Sequence, residues 1–242
     1  MTDQPVTRMS HTSPNRVEVR GRDLTGDLMG RLTFTEYFHL LLTGEEPTED
    51  QRFFLDLLLV SIAEHGMMPT NVAARMTFAA DPDSLQGAVA AGILGAGPVV
   101  LGTAEECARL LAEADAARLS AEDVAREYRE AGTKVPGFGH PVHKLVDPRA
   151  DRILELAHER EIDGAHVAFA GSLRDELYPL PMNVSMAIAA VMLELGFAVS
   201  AVKAVPILAR TAGLLAHLAE ERENPIGFHL ARAAEEAVEY ER

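Results

Sequence analysis

Helix start and stop signals recur along this 242-residue chain, and no sustained apolar–polar alternation of the strand type separates them. Thr48 with Gln51, and Thr103 with Glu106, have the spacing of capping boxes, and Gly44 follows an apolar segment as a stop signal. Aromatic residues make up only 5% of the chain and Trp is absent, so the 48% hydrophobic fraction suits close helix packing. The sequence therefore predicts an all-α fold.

Two regions need separate interpretation: the N-terminal residues, and the Gly/Ala-rich residues that lie within a longer low-charge run. Residues 1–20 lack any periodicity and the apolar core of a secretory signal, and we expect them to form a flexible arm. Residues 84–97 are rich in Gly and Ala, which allows two helices to approach closely, within one chain or between two. The longest low-charge run has the length of a membrane span but is weakly apolar: SLQGAVAAGILGAGPVVLGTA. We interpret it as a buried helix and expect no membrane partner.

The charge and cysteine content exclude two classes of protein. A net charge of −15 argues against a nucleic-acid partner, because phosphate contacts need a basic surface. The single cysteine, Cys107, cannot form an internal disulfide and fits a reducing compartment. We therefore expect a cytoplasmic protein.

One loop, VPGFGHPVHKLVDPRA at residues 135–150, is unlike the helical segments around it. Gly137 and Gly139 permit positive φ angles and close approach of a ligand to the backbone. Pro141 disfavours a helical conformation at His140, so this imidazole is expected on a loop. There it can donate to a developing oxyanion or transfer a proton.

Arg149 lies where the first turn of a helix is expected, after Asp147 as N-cap and Pro148. The helix macrodipole disfavours a cation there, which indicates a carboxylate partner. That partner is either a ligand or an internal acid such as Asp147, and the loop alone leaves both open. The spacing of His140 and His143 also permits a metal site, but no second cluster of ligands accompanies them, so we expect no metal.

The loop PGFGHPVHKLVDPRA resembles the signature of the citrate synthase family, which includes citryl-CoA lyase and the C-terminal module of ATP-citrate lyase. Further segments resemble that family in the same order over roughly residues 20–240: AEHGMMPTNVAAR, GAGPVVLGTAEE, LPMNVSMAIAAVMLELG and ILARTAGLLAHLAEERENP. The short chain is more similar in length to citryl-CoA lyases than to full citrate synthases.

The resemblance implies an all-α homodimer that makes or cleaves the bond between an acyl-CoA and a 2-oxo dicarboxylic acid such as oxaloacetate. It implies a large helical domain at residues 21–100 and 196–242 and a small one at residues 101–195. We expect residues 84–97 in the dimer interface. The CoA thioester is expected as a substrate, with no covalently bound cofactor and no metal.

The resemblance also implies roles for individual residues. His65 would bind the oxo-acid, and His140 would polarise its carbonyl or the tertiary alkoxide. Arg149 and Arg210 would bind carboxylates. The adenine end of CoA would contact the backbone of the loop at Val135, Gly137, Phe138 and Gly139.

Two positions depart from the family pattern. Val100 stands where citrate synthases have the His that steadies the thioester enolate, and Ser185 stands where the family has the Asp that takes the α-proton. The final active-site Arg, supplied across the dimer, has no clear counterpart. Nearby candidates for that Arg are Arg222 and Arg232, and candidates for a relocated base are His143, Asp175 and Glu176.

Three hypotheses follow from these matches and departures. The first is a lyase-like or synthase-like enzyme with a relocated base, which we favour. The second is a catalytically degenerate homologue that binds a dicarboxylate or CoA ester, or serves as a partner subunit. The third is a helical scaffold with coincidental motifs. His217, on an apolar helix, is expected in the core or an interface rather than in catalysis.

Overall fold

The computed structural model describes residues 5–140 and 143–241, and within them helices dominate. The all-α prediction is confirmed. The helices are α1 Phe34–Thr43, α2 Glu49–Ala63, α3 Pro69–Ala80, α4 Leu85–Leu94, α5 Thr103–Ala117, α6 Ala121–Ala131, α7 Pro148–Glu159, α8 Ala165–Leu177, α9 Val184–Glu194, α10 Val199–Val202, α11 Ala204–Glu223 and α12 Gly227–Glu236, with a short π-helix at Leu24–Leu28.

Three short strands form an antiparallel sheet where the sequence predicts an irregular arm over residues 1–20. They are β1 Ser10–Ser13, β2 Arg16–Val19 and β3 Arg22–Asp23, in the order β1-β2-β3. Each strand has at most four residues, which is too short for an alternating pattern to be recognised. Residues 1–4 lie outside the described part of the chain.

The described chain divides into two compact units between Asp56 and Leu57. The first unit has a small apolar core formed by Val19 of β2, Leu28 of the π-helix and Leu40 of α1. In the second unit, α5, α7 and α8 pack around α9, whose residues from Val184 to Met192 are all buried. The division into lobes at 21–100 with 196–242 and at 101–195 remains a prediction.

A second cluster in the larger unit joins α3, α4 and α11. Phe78, Leu214 and Leu218 are buried in it, and Gly92 of α4 lies against α11 and α3. A Cβ at Gly92 would lie 2.7 Å from the Leu214 side chain and 2.9 Å from the Thr70 carbonyl oxygen. The glycine therefore allows the close helix approach that the composition of residues 84–97 predicts.

The predicted caps differ in outcome. Thr48 and Gln51 form a capping box. The backbone N–H of Gln51 donates to Thr48 Oγ1, and the backbone N–H of Thr48 donates to Gln51 Oε1. The box predicted for Thr103 and Glu106 is wrong. Thr103 is the first helical residue, and its hydroxyl donates instead to the carbonyl oxygen of Pro98 at 2.8 Å.

The low-charge run with the length of a membrane span is interrupted after Leu94, where α4 ends. A different stretch, Val199–Glu223 in α10 and α11, is long and apolar enough to span a membrane by length and composition. Core helices of globular proteins meet the same criterion, and Leu214 and Leu218 of this stretch pack in the interior.

Candidate active site

The Gly-rich loop is held by hydrogen bonds to the segment that precedes α9. The Gly139 N–H donates to the Pro181 carbonyl at 2.8 Å, and the Asn183 N–H donates to the Gly137 carbonyl at 2.8 Å. The Asn183 side-chain amide adds a bond to the Gly139 carbonyl at 3.0 Å. These contacts resemble a short antiparallel ladder and fix the backbone that leads into His140.

Gly137 is required at its position for two separate reasons. Its φ is +82°, which is a conformation that other residues adopt only with strain. A Cβ there would also lie 2.7 Å from both Cys107 Sγ and Met186 Cβ. Gly139 has the same φ, but among the described residues a Cβ there has no neighbour within 4 Å, so its conformation is what calls for glycine.

Asp147 and Arg149 form an internal ion pair. Arg149 Nε donates to Asp147 Oδ1 at 3.0 Å, and one guanidinium NH₂ group donates to Oδ2 at 2.8 Å. The same carboxylate accepts from the Val184 N–H at 3.0 Å, which ties α7 to α9. Burial raises the pKa of Asp147, but Arg149 and the Val184 N–H outweigh burial, so the pKa is lowered.

This geometry decides one question that the sequence leaves open. Asp147 is the immediate carboxylate partner of Arg149, as in the internal reading. Among the described residues the ion pair engages Nε and one terminal nitrogen of Arg149, whose side chain is 20% exposed. The other terminal nitrogen is therefore the atom suited to an external carboxylate.

Three imidazoles cluster beside this pair. The ring centroids of His140 and His143 are 4.5 Å apart, those of His65 and His140 are 5.3 Å apart, and those of His65 and His143 are 6.0 Å apart. Pro141 and Val142, including the proline expected to direct His140, lie outside the described residues.

The prediction that no further ligand accompanies His140 and His143 is wrong, because folding adds His65 from a distant segment. Nitrogen atoms of the three rings lie within 4.8 Å of one another. The sequence could not show this, since 75 residues separate His65 from His140.

A backbone hydrogen bond sets the tautomer of His140. The His143 N–H donates to His140 Nδ1 at 3.0 Å, so Nδ1 is an acceptor. In the neutral ring the proton therefore lies on Nε2, which makes Nε2 a hydrogen-bond donor. A donor of this kind suits a carbonyl or alkoxide oxygen.

The surroundings of His65 and His140 favour the uncharged form of each ring. Burial lowers the pKa of His65, and so do the charges of Arg149, His143 and Arg210. Burial and the nearby His143 likewise lower the pKa of His140. The rings of His65 and His140 thus lie near the guanidinium groups of Arg149 and Arg210 and the carboxylate of Asp147.

Arg210 is a buried cation without a carboxylate partner among the described residues. It is 3% exposed, and its NH₁ and NH₂ groups donate to Asn71 Oδ1 at 3.1 Å and to the Ile62 carbonyl at 3.2 Å. Within the described part of the chain, Arg210 Nε has no hydrogen-bond partner. Burial lowers the pKa of Arg210 more than the nearby Glu64 carboxylate raises it, so a bound anion would stabilise this cation.

A polar network that the sequence did not reveal holds the turn carrying His65. Arg75 is fully buried, and its Nε donates to His217 Nδ1 at 2.9 Å. His217 Nε2 in turn lies 2.9 Å from Glu64 Oε2. Gly213 of α11 packs against the same turn, since a Cβ there would lie 2.1 Å from the Ala63 carbonyl oxygen.

The burial of His217 agrees with its expected place in the core, although its contacts are polar rather than apolar. In the sequence, Arg75 stands out only as the last residue of the segment NVAAR. No local pattern predicts its contact with His217, which lies far away in the chain. Asn71 was missed for the same reason, and it joins Arg210 to the His65 turn by donating to the Gly66 carbonyl at 2.6 Å.

The remaining predicted residues lie as follows. Val135 and Phe138 are buried, and Pro136 and Gly139 of the same loop are partly exposed. Ser185 lies in the first turn of α9, and Val100 lies in the turn before α5. Two charged candidates have partners elsewhere: Arg222 lies over the Phe78 ring at 5.3 Å, and Glu176 faces Arg129 at 4.0 Å. Asp175 and Arg232 are exposed.

Comparison with known sequences identifies the family. The family model described as citrate synthase, C-terminal domain, matches residues 6–233. Citrate synthase 2 of Bacillus subtilis (strain 168) is 30% identical over 197 residues, which cover 78% of this chain and 52% of that protein. The chain thus spans about half the length of this curated relative.

Solved structures show the same relationship over nearly the full chain. Citryl-CoA lyase from Hydrogenobacter thermophilus superposes with a TM-score of 0.89 at 34% identity, covering 98% of this chain and 94% of that one. ATP citrate lyase from Methanothrix soehngenii, solved with citrate and coenzyme A, has a TM-score of 0.85 at 19% identity and covers 100% of this chain and 42% of that one. The second likeness shows the fold alone. The resemblance read from the motifs is confirmed, and the chain belongs to the citrate synthase family.

Proposed function

We propose that this protein is an enzyme that cleaves, and in reverse makes, the carbon–carbon bond between an acyl-CoA of the acetyl-CoA type and a 2-oxo dicarboxylic acid. The observation that carries the proposal is the buried Arg210 cation, which forms no ion pair with a carboxylate among the described residues and lies near the ring of His65. In a chain with a net charge of −15, such a site selects a compact polyanion. Citryl-CoA is our preferred substrate, because the structural relative that matches this chain over 94% of its own length is a citryl-CoA lyase.

Each site residue has a role in this proposal that follows from its contacts. The terminal nitrogen of Arg149 not engaged by Asp147, together with Arg210, binds substrate carboxylates. The Nε2–H of His140 donates to the oxygen that is a hydroxyl in citryl-CoA and becomes the carbonyl of the oxo-acid. His65 orients the same oxo-acid, and its turn is fixed by hydrogen bonds from the Gly66 N–H to Glu64 and from Asn71 to the Gly66 carbonyl.

The acyl-CoA is a substrate in this scheme, with no covalently bound cofactor and no metal. Its adenine end is proposed to lie against the backbone of Val135–Gly139, since the side chains of Val135 and Phe138 point into the core. Cys107 beneath Gly137 is buried, and burial raises the pKa of its thiol, so it stays protonated and takes no part in the chemistry. We propose a cytoplasmic location, with neither nucleic acid nor membrane as partner.

The direct test is incubation of the purified protein with citryl-CoA, malyl-CoA and citramalyl-CoA, followed by mass spectrometry of the products. We expect citryl-CoA to yield acetyl-CoA and oxaloacetate, and the mixture of these products to yield citryl-CoA in reverse. Isothermal calorimetry with citrate provides a separate measure of binding. Citrate binding without turnover of any thioester would favour the degenerate homologue, in which Val100 and Ser185 mark lost catalysis.

We further propose that the protein is a homodimer with α4 in the interface. An apolar groove of about 480 Å³ runs along α4 and ends at α11, and it is lined by Leu85, Gln86, Val89, Ala90, Ile93 and Leu215. Leu94, at the end of the same helix, is 86% exposed in the single chain. A second copy of the same apolar face would remove this surface from water.

Light scattering is expected to give twice the 26.2 kDa mass of the single chain at micromolar concentration. The double variant Val89→Glu with Ile93→Glu is expected to give the single-chain mass, because a C2 interface buries each introduced charge twice. Val238→Glu is the control, since Val238 is 75% exposed and lies beyond α12. A single-chain mass for the unaltered protein would contradict the dimer.

A further inference from the structure

The proposed reaction needs a group that moves one proton between the tertiary hydroxyl oxygen and the α-carbon of the acyl-CoA. Ser185 is a neutral hydroxyl, and Val100 cannot exchange a proton. Of the carboxylates beside the cluster, Asp147 is held by Arg149 and Glu64 by His217. Burial raises the pKa of both carboxyl groups, but their hydrogen bonds and charged partners lower it further, so the net pKa is lowered. Both carboxylates are therefore weak bases.

The three imidazoles differ in their ability to accept that proton. His140 already accepts a backbone N–H at Nδ1, so its neutral ring presents a donor at Nε2 rather than a base. His65 lies within the electrostatic influence of both Arg149 and Arg210, which oppose a third positive charge. His143 is the remaining ring, and its centroid is 4.5 Å from that of His140.

The bonds of the reacting group set how far the α-carbon lies from the His140 nitrogen that binds the oxygen. An oxygen bound to His140 Nε2 lies about 2.9 Å from that nitrogen, and the C=O and C–C bonds add about 1.2 and 1.5 Å along a bent path. The α-carbon therefore lies roughly 4–5 Å from His140 Nε2. The His143 ring centroid is 4.5 Å from that of His140, a separation on the same scale.

We propose that His143 is the catalytic acid–base of this site and shuttles one proton between the substrate oxygen and the α-carbon. The inference rests on the proposed function and explains how that function can operate with Val100 and Ser185. Folding brings the required imidazole beside His140 and His65.

The proton and electron balance closes within the substrate. In cleavage, His143 takes the proton of the tertiary hydroxyl, whose oxygen then forms the carbonyl as the carbon–carbon bond breaks. The bonding electron pair passes to the α-carbon and forms the thioester enolate. The imidazolium of His143 returns the same proton to the α-carbon, while the His140 proton stays on Nε2 and hydrogen-bonds to the oxygen. Condensation follows the same steps in reverse, and no oxidant, reductant or other co-reactant is needed.

A divalent cation held by the three rings is the competing use of this cluster, since their nitrogen atoms lie within 4.8 Å. Two contacts oppose it. Coordination through His140 Nε2 would put a proton on Nδ1, facing the His143 N–H that now donates to it. Arg149 and Arg210 would also repel a dication. The experiment below separates the two uses by adding EDTA or Zn²⁺.

The test compares His143→Gln with the unaltered protein in two assays, using citryl-CoA cleavage and the exchange of acetyl-CoA α-protons in deuterated water with oxaloacetate present. Both rates are expected to fall about 10²- to 10⁴-fold, the usual contribution of a positioned acid–base. Citrate affinity is expected to stay unchanged, because the Arg149 and Arg210 contacts remain. His158→Gln, on an 80%-exposed side chain, is the matched control and is expected to retain both rates.

Two rescue experiments distinguish proton transfer from a structural role. Added imidazole is expected to restore part of the activity of His143→Gly, because it can occupy the space and carry the proton. Ser185→Asp, placed in the His143→Gln background, is expected to restore α-proton exchange by supplying a base at α9. If His143→Gln fails to fold, as shown by lost citrate binding, the test relies on whether imidazole restores activity to His143→Gly.

Full activity of a folded His143→Gln would overturn the inference while leaving the proposed function intact. Loss of unaltered-protein activity with EDTA and its return with Zn²⁺ would also overturn it, in favour of the cation. An unaltered protein that turns over no thioester would refute the proposed function itself, and the role of His143 with it.

Discussion

Replacing His140 by Ala is expected to lower the rate of citryl-CoA cleavage about 10²- to 10³-fold, the cost of removing one oxyanion-directed donor. The backbone bond to Nδ1 holds the Nε2–H in place before substrate binds, so the donor acts on the charge that develops at the oxygen. Its contribution therefore belongs to the transition state and is expected in kcat rather than in citrate affinity. Steady-state kinetics and citrate calorimetry measure the two separately.

The His140 prediction has a control and a clear contrary result. His158→Ala changes an exposed imidazole outside the cluster and is expected to leave both measurements unaltered. A His140→Ala protein that loses citrate affinity to the same extent as turnover would show that His140 binds the ground state, and would remove the basis for its assigned role.

Replacing Arg149 by Ala is expected to affect both ligand binding and stability. Loss of a charge-assisted contact should weaken citrate binding by about 1.5–3 kcal/mol, or roughly 10- to 150-fold. The same change leaves the Asp147 carboxylate, which is 1% exposed, without its cationic partner. Breaking a buried pair in this way costs about 3–5 kcal/mol, so the free energy of unfolding should fall markedly.

Chemical denaturation and citrate calorimetry check the two effects of Arg149→Ala. Arg152→Ala is the matched control: it lies one turn further along α7, and its contacts to Glu155 and Glu159 are exposed. Surface pairs of that kind contribute about 0–1 kcal/mol, so both measurements should change little. Equal citrate affinity of the Arg149→Ala and unaltered proteins would show that Arg149 serves Asp147 alone.

Local sequence signals predicted the helical elements well where the interactions that define them are local. Thr48 with Gln51 and Asp147 with Pro148 act within a single turn, and the structure forms both helix starts as predicted. The capping box predicted at Thr103 does not form, because the Thr103 hydroxyl donates to the Pro98 carbonyl instead. Sequence spacing alone does not reveal this competing partner. The sequence did not predict the short strands within residues 10–23, because strands of two to four residues show no measurable alternation.

The motif in the loop at residues 135–150 showed the family, since a Gly-Phe-Gly-His run followed by Asp-Pro-Arg combines residues that few folds require together. Sequence by itself therefore determined the all-α class, the family and the residues that are candidates for chemistry. It also determined that Val100 and Ser185 lack the groups expected of them. These are properties of residue identity and local spacing, which the chain carries whether or not it is folded.

Only the tertiary structure decided how those residues combine. It assigned Asp147 as the partner of Arg149, brought His65 to His140 and His143, and linked the His65 turn to Arg75 through His217. Arg75 and His217, for example, are 142 residues apart in the chain. A hydrogen bond or ion pair depends on distances of about 3 Å, and for residues so far apart in the chain those distances are set by the packing of α3, α9 and α11 rather than by any local pattern.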